Sequence, residues 1–135
     1  MASRLNPYLS FPGTAREAME FYADVFGGEL VLRTMGELGG PDAPEPENIM
    51  HGQLETPHGF TLMGADGMPG GEYQPGTAFA VSLSGDDEEL RGFWEKLSDR
   101  GEVLVPLERQ MWGDEFGSCR DRFGVTWMVN IGQAA

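Results

Sequence analysis

The sequence predicts an α+β fold that consists of two tandem copies of one βαβββ module. Three observations lead to this prediction: the chain repeats itself at fixed offsets, each half contains one amphipathic helix among strand-like segments, and glycine-rich turns separate those segments. The 135 residues suffice for one domain with its own core. We therefore expect a single domain at 1–135, with module one at 1–66, a linker at 67–76 and module two at 77–135.

The internal repeat has two parts. In the first part, Leu9-Ser10-Phe11 recurs 72 residues later as Val81-Ser82-Leu83. In the second part, Gly59-Phe60-Thr61-Leu62-Met63 recurs 65 residues later as Gly124-Val125-Thr126-Trp127-Met128, with the pattern Gly-x-Thr-x-Met in both copies. Two ordered sets of matches that span both halves are difficult to produce by chance, so the halves are expected to share one fold.

Module one is expected to begin with a strand near Leu5–Phe11. A capping box, Thr14-Ala15-Arg16-Glu17, marks the start of the first helix. Gly27-Gly28 marks its end, because glycine adopts the left-handed conformation of a helix cap at little cost. The helix has one apolar face, made of Ala18, Phe21, Tyr22, Val25 and Phe26. Three strands should follow, at Glu29–Met35, Ile49–Glu55 and Phe60–Ala65. The glycine- and proline-rich stretch Gly39–Pro46 is expected to be a mobile loop.

Module two repeats this order after a glycine- and proline-rich link that is expected to begin at Asp66. A strand near Ala78–Leu83 leads to the acidic helix start Asp86–Glu89, which suits the positive end of the helix dipole. The helix should bury a face made of Leu90, Phe93, Trp94 and Leu97. Three strands complete the module, at Glu102–Leu107, Phe116–Arg120 and Val125–Ile131.

Charge and cysteine content narrow the classes of function. The chain has 22 acidic and 9 basic residues, and its net charge is −13. Phosphate backbones and anionic membrane surfaces repel such a protein, so we expect neither nucleic acid nor a membrane as a partner. The single cysteine, Cys119, cannot form an internal disulfide, and we expect a buried, inert thiol. The sequence has no apolar signal core and no stretch long enough to span a bilayer, which predicts a cytoplasmic location.

Several short sequence words extend over nearly the whole chain: Ala18-Met19-Glu20-Phe21-Tyr22, Val25-Phe26-Gly27-Gly28, Met50-His51-Gly52, Trp112-Gly113 and Asp121–Trp127. In these short motifs, the sequence resembles the PhnB-like branch of the glyoxalase/bleomycin-resistance, or vicinal oxygen chelate (VOC), superfamily. The resemblance implies that each module curls its strands into a half-open cup, so that curved mixed sheets surround a cavity. Because the superfamily includes isomerases, ring-cleaving dioxygenases, thiol transferases and drug-sequestering proteins, the resemblance predicts the fold more closely than the activity.

The resemblance also implies where a divalent metal would be held: by a His or Gln on the first strand of each module and by a Glu near the last strand. The two glutamate positions hold Met63 and Met128, whose neutral thioethers are poor ligands for a hard cation. The two first-strand positions correspond to Pro7 and Phe79, which have no donor atom in their side chains. The neighbouring side chains with a donor are Asn6 and Tyr8. We therefore expect no metal and no other cofactor.

Candidate ligand-binding residues follow from the alternation of side chains along strands. His51, Gln53 and Glu55 share one strand face and offer a base, an amide and a carboxylate in a row, but alternation does not tell whether that face lines a cavity or meets solvent. Trp112 lies in a loop, where it could stack on a planar ligand, fill the fold or lie at a subunit contact. The resemblance implies that Thr61, Met63, Thr126 and Met128 point inward. The ligand-binding set is therefore His51, Gln53, Thr61, Met63, Trp112, Thr126 and Met128.

These features predict a metal-free protein that binds a small, partly apolar molecule in the cavity between the modules. A first alternative is a metal-dependent VOC enzyme, of lyase, isomerase or dioxygenase type, with an atypical site in which His51 and Glu55 are catalytic. A second alternative is an interaction protein that acts as a homodimer, since members of the superfamily often dimerise and sheet edges need cover. The sequence leaves these three functions open.

Overall fold

A computed structural model describes residues 3–67 and 72–132 of the chain. Its elements, in chain order, are β1 (Tyr8–Phe11), α1 (Ala15–Phe26), β2 (Glu29–Thr34), α2 (Met35–Gly39), β3 (Ile49–Glu55), β4 (Thr61–Asp66), β5 (Val81–Gly85), α3 (Glu89–Ser98), β6 (Glu102–Arg109), β7 (Glu115–Arg120) and β8 (Thr126–Ile131). The predicted α+β class and the two tandem modules are confirmed. Within the part of the chain that is described, no helix has the length and apolar character needed to cross a lipid bilayer.

Each module forms one four-stranded mixed sheet. The strand order is β1-β4-β3-β2 in the first sheet and β5-β8-β7-β6 in the second. In both sheets the first strand of the module runs parallel to the last one, and the other pairs are antiparallel. The chain divides into two compact units between Gln74 and Pro75, inside the predicted linker, of which residues 68–71 lie outside the described residues. The assignment of both modules to a single domain stays a prediction.

The long helix of each module covers one face of its sheet. In module one the helix buries Met19 against the sheet, and a Cβ atom added to Gly64 of β4 would lie 3.1 Å from the Met19 sulfur. Met19 was not part of the predicted apolar face, whereas Phe21, which was, is only partly buried. In module two the predicted face of α3 is confirmed, since its four residues are buried: Leu90, Phe93, Trp94 and Leu97.

The start of α1 differs from the predicted capping box. Thr14 occupies the N-cap position, but its side chain makes no capping hydrogen bond. Asp66, the last residue of β4, provides the cap instead: its Oδ1 accepts from the Ala15 amide at 2.9 Å, and its Oδ2 accepts from the Ile49 amide at 2.8 Å. Asp66 is only 7% exposed, so it belongs to the core of module one and not to the linker. The sequence pattern could not reveal this cap because Asp66 lies 51 residues beyond Ala15.

A short helix replaces the end of the second predicted strand. The prediction extended that strand to Met35 and placed Gly39 in a loop, but α2 occupies Met35–Gly39. The Thr34 hydroxyl accepts a hydrogen bond from the Glu37 amide at 3.0 Å, and Met35 is buried. A helix of five residues is too short to display the apolar periodicity by which longer helices are recognised.

The two copies of the module differ in the register of their parallel strand pair. Leu9 lies opposite Gly64 in the first sheet, whereas Leu83 lies opposite Val129 in the second. Gly64 and Val129 are equivalent in the repeat, but Leu9 is equivalent to Val81, two residues before Leu83. Relative to the last strand, the first strand is therefore displaced by two residues in the second copy. A displacement of two residues leaves the same side chains facing the helix, because side chains alternate along a strand.

Cys119 is a buried free thiol, as the sequence predicted. Burial, with a smaller contribution from the charge of Asp121, raises the pKa of this thiol to about 11. Because the thiolate is the reactive form, we expect the native protein to resist a disulfide reagent at mildly alkaline pH and to release one thiol after unfolding in denaturant. Absorbance of the released reagent measures both. Rapid labelling of the native protein would contradict the prediction.

Candidate functional site

The face of the first sheet that lies opposite α1 carries side chains from β1, β3 and β4, and the edge strand β2 adds further ones. Gly52 and Leu54 of β3 are buried on the side of α1, and so are Leu62 and Gly64 of β4. The residues between them project to the other side, because side chains alternate along strands. His51, Gln53 and Glu55, which were predicted to share one strand face, therefore point away from α1. We call the following six residues the polar face: Tyr8, His51, Gln53, Glu55, Thr61 and Met63.

Four residues of the polar face form one continuous series of side-chain hydrogen bonds, which we call the polar row. Gln53 Nε2 donates to Glu55 Oε2 at 2.7 Å. Gln53 Oε1 lies 3.1 Å from His51 Nε2, and His51 Nδ1 lies 3.0 Å from the hydroxyl of Tyr8. The row thus runs from the carboxylate at the end of β3 to a phenol on β1.

The ionised carboxylate of Glu55 orients the Gln53 amide, and with a neutral His51 imidazole it sets the direction of every hydrogen bond in the polar row. A carboxylate only accepts, so Gln53 turns its NH₂ group to Glu55 and its carbonyl oxygen to His51. An amide oxygen also only accepts, so the proton of the neutral imidazole resides on Nε2. His51 Nδ1 is then an acceptor, and the Tyr8 hydroxyl donates to it.

Glu55 is held ionised by three neighbours. Thr61 Oγ1 donates to Glu55 Oε1 at 2.6 Å, and the two terminal nitrogens of Arg4 lie 3.4 and 3.3 Å from the two carboxylate oxygens. The hydrogen bond from Thr61, followed by those from Gln53 and Arg4, lowers the pKa of Glu55 to about 2, against a smaller opposing effect of desolvation. Glu55 is therefore an anchor for the polar row across the physiological pH range.

The depressed pKa of Glu55 predicts a pH dependence of stability. Its folded-state pKa of about 2 lies below the ordinary value of 4.5, so its interactions stabilise the fold fully above pH 4.5 and are lost as the pH falls toward 2. In Glu55→Gln this contribution is absent. Between neutral pH and about pH 2, the urea midpoint of this variant should therefore fall less than that of the unaltered protein. Glu47→Gln, at an exposed loop position, should follow the unaltered protein. Identical pH profiles for all three proteins would refute the role of Glu55.

The neighbouring edge strand adds charge and apolar surface to the polar face. In the register of β2 and β3, Arg33 is opposite His51, Val31 is opposite Gln53, and Glu29 is opposite Glu55. Opposite residues project to the same side of a sheet with their Cβ atoms about 4.5–5.5 Å apart. The positively charged Arg33 is therefore the neighbour of His51 on β2. Gln53 has two apolar neighbours, the half-exposed Val31 on β2 and Met63 on β4.

The corresponding face of the second sheet has a different character. At the positions equivalent to His51, Gln53 and Glu55 it carries Phe116, Ser118 and Arg120. Thr126 and Met128 project away from α3, since the residues that alternate with them on β8 are buried on the side of the helix. Trp112 is 59% exposed, and its ring centre lies 6.2 Å from that of Phe116.

The structure thus divides the predicted ligand-binding residues into two groups. One group lies together on the polar face: His51, Gln53, Thr61 and Met63. The other lies on the second sheet or beside it: Trp112, Thr126 and Met128. Sequence reasoning considered Tyr8 only as a metal donor and did not include Arg4. The parallel pairing of β1 with β4 places Tyr8 opposite Met63, and the βαβββ pattern could have indicated that pairing.

The side chains at the implied metal positions do not fit a divalent metal. Tyr8 lies opposite Met63 in the first sheet, and Ser82 lies opposite Met128 in the second. A thioether is a poor ligand for a hard cation, and the Tyr8 hydroxyl is hydrogen-bonded to His51. Among residues 3–67 and 72–132, no three His, Cys, Asp or Glu side chains are grouped so that they could hold a metal ion.

Comparisons with known proteins give one matching family model and several solved structures with the same fold. A family model described as 3-demethylubiquinone-9 3-methyltransferase matches residues 3–130. Protein PA1353 from Pseudomonas aeruginosa is 34% identical, with a TM-score of 0.87 over 98% of this chain and 100% of that chain. A putative 3-demethylubiquinone-9 3-methyltransferase, the PhnB protein from Bacillus cereus, is 26% identical, with a TM-score of 0.78 over 96% and 100%. A glyoxylase/bleomycin resistance protein/dioxygenase domain from Frankia sp. EAN1pec shares the fold, with 15% identity and a TM-score of 0.66 over 98% and 99%.

Proposed function

Because the chain belongs to the PhnB-like 3-demethylubiquinone-9 3-methyltransferase family of the VOC superfamily, we propose that it binds a small, partly apolar molecule on the polar face of its first sheet. The observation that supports this proposal is the polar row, in which Tyr8, His51, Gln53 and Glu55 are joined by a continuous series of side-chain hydrogen bonds. A ligand that meets such a face finds its polar groups already ordered, which lowers the entropic cost of binding.

The mixture of side chains on the polar face is typical of sites for small molecules. Such sites combine apolar lining with a few placed polar groups that fix the orientation of the ligand. Here the apolar surface comes from Met63 and from Val31, which is 48% exposed, and both are opposite Gln53 in register. The polar groups are the hydroxyl of Tyr8 and the imidazole of His51.

The description of the family names a methyltransferase, but the residues identified above do not by themselves specify methyl transfer. They supply hydrogen bonds, one cationic neighbour and apolar contact, which serve binding as well as several kinds of chemistry. Fold and family membership do not determine the reaction, so the proposal stays with binding.

A thermal-shift screen with aromatic and amphipathic metabolites tests the proposal. A ligand at 100 times its Kd should stabilise the protein by about 2.7 kcal/mol. His51→Ala should lose most of this stabilisation, because it interrupts the polar row. Phe116→Ala, at the equivalent position of module two, serves as the matched control and should retain it. Equal stabilisation of both variants, or no stabilising compound in a broad panel, would reject the polar face as a binding site.

The polar row also favours a second candidate function, an enzyme with an acid–base group on the same face. The pKa of about 2 makes Glu55 a weak base, so His51 is the better candidate for proton transfer and Glu55 acts by orienting it through Gln53. Activity that survives in His51→Ala would exclude this candidate. Elemental analysis of the purified protein tests the version of this enzyme that depends on a metal.

The interaction protein that acts as a homodimer stays a prediction. Light scattering, which measures the molar mass in solution, tests it.

A further inference from the structure

We propose that the ligand of the polar face is a weak oxygen acid, such as a phenol or an enol, and that Tyr8 and His51 together accept its proton. The inference rests on the proposed function, because it specifies the ligand class and the chemistry of the same face.

Tyr8 is the end of the polar row that a ligand can reach. Its side chain is 52% exposed, whereas His51, Gln53 and Glu55 are each partly buried. When the His51 imidazole is neutral and carries its proton on Nε2, the Tyr8 hydroxyl directs its hydrogen to His51 Nδ1, 3.0 Å away, and the phenolic oxygen presents its lone pairs outward as acceptors. A ligand that binds this oxygen must therefore donate a hydrogen, and the O–H group of a weak acid does so.

The direction of the hydrogen bonds makes a balanced proton transfer possible. The O–H bond of the ligand breaks, its electron pair stays on the ligand oxygen, and the proton bonds to the Tyr8 oxygen. The original Tyr8 proton moves to His51 Nδ1, so the ligand becomes an anion and the imidazole becomes a cation. The cation retains its Nε2–H bond to Gln53, whose amide is oriented by the ionised Glu55. Nothing is oxidised or reduced, and no co-reactant is needed.

The charges around this end of the face favour an anionic ligand. Arg33 of β2 is opposite His51, whereas Glu29 is opposite Glu55 at the far end of the polar row. Arg4, which precedes β1, is paired with Glu55 at 3.3 Å. From β4 the face receives Thr61 and Met63, which carry no charge. Arg33 thus places one positive charge beside His51 in a protein with a net charge of −13, and this charge complements the anion that the transfer would produce.

The repeat provides an internal control. The second module carries Phe116, Ser118 and Arg120 at the positions where the first module carries His51, Gln53 and Glu55. A phenylalanine cannot accept a proton, so the proposed chemistry belongs to the first sheet. Substitution of Phe116 should therefore not change the protonation of a bound ligand.

The test uses 4-nitrophenol, whose neutral and ionised forms absorb at different wavelengths, at a pH where most of the free probe is neutral. Equilibrium dialysis measures how much probe is bound, and absorbance measures how much of it is ionised. We expect the ratio of ionised to neutral probe to be about tenfold higher for bound than for free probe, equivalent to one pKa unit. In Tyr8→Phe and in His51→Asn, bound probe should be ionised to nearly the same extent as free probe. In Phe116→Leu, the ionisation of bound probe should stay as high as in the unaltered protein.

4-Nitroanisole, in which a methyl ether replaces the acidic hydroxyl, serves as the matched control ligand. It should bind at least about tenfold more weakly than 4-nitrophenol, which corresponds to about 1.4 kcal/mol. Bound 4-nitrophenol that is no more ionised than the free probe would overturn the proton transfer but leave binding intact. Ionisation that persists in Tyr8→Phe would overturn the role of Tyr8. If 4-nitrophenol fails to bind while the thermal-shift screen yields non-acidic ligands, the ligand class is wrong and the proposed function stands.

Discussion

Replacement of Asp66 by alanine is expected to lower the free energy of unfolding by about 2–6 kcal/mol. The carboxylate accepts from the amide of Ala15, at the start of α1, and from the amide of Ile49, the first residue of β3. Both residues are fully buried, so water cannot replace the lost acceptor. Each buried donor that is left without a partner costs about 1–3 kcal/mol. Urea unfolding followed by circular dichroism measures the change.

Asp42→Ala is the control for this prediction, because Asp42 is exposed in the loop after α2 and its replacement should change stability by less than about 0.5 kcal/mol. Asp66 joins β4 to the first residue of β3, the strand that carries His51, Gln53 and Glu55 of the polar row. Its loss should therefore also weaken ligand binding. If Asp66→Ala were no less stable than Asp42→Ala, the carboxylate cap of α1 would be wrong.

Gly28→Ala is expected to be destabilising by about 3–5 kcal/mol. Gly28 has a φ of +107°, and a Cβ atom added there would lie only 2.2 Å from the main-chain oxygen of Glu55. Neither backbone can move easily, because Glu29 and Glu55 are paired in the sheet. The substitution thus combines left-handed backbone strain with a clash against the strand that carries the polar row.

Gly27→Ala separates these two effects. Gly27 also has a positive φ, of +73°, but an added Cβ atom there would meet nothing within 4 Å. With a ψ of −177°, Gly27 lies in a backbone region that is open essentially to glycine alone, so its replacement should cost only this strain, about 1–3 kcal/mol. The same close approach recurs in module two, where a Cβ atom on Gly101 would lie 2.3 Å from the main-chain oxygen of Arg120. Equal denaturation midpoints for Gly27→Ala and Gly28→Ala would show that the close approach does not matter.

The fold was largely readable from the sequence because its main signals are local or repeated. The strand Ile49–Glu55 has the predicted bounds, and the two long helices bury most of the residues that helical spacing indicated. The resemblance to the PhnB-like branch is confirmed by the family model and by the solved structures. The five-residue helix α2 was missed because a single turn gives no periodic pattern.

The candidate site was readable only in part, because its decisive contacts join residues that are distant in sequence. Alternation along β3 placed His51, Gln53 and Glu55 on one face, but the direction of that face depends on where α1 packs. Tyr8 lies 43 residues before His51, and only the parallel pairing of β1 with β4 brings them within hydrogen-bonding distance. No pattern within a single segment contains that information.

The most direct test of a binding site on the first sheet is a map of backbone amide chemical shifts during titration of the ¹⁵N-labelled protein with 4-nitrophenol. The largest changes should occur at the amides of Tyr8, His51 and Gln53, and they should vanish in His51→Ala. Changes that concentrate instead at Phe116, Ser118 and Thr126 would place the site on the second sheet and contradict the account.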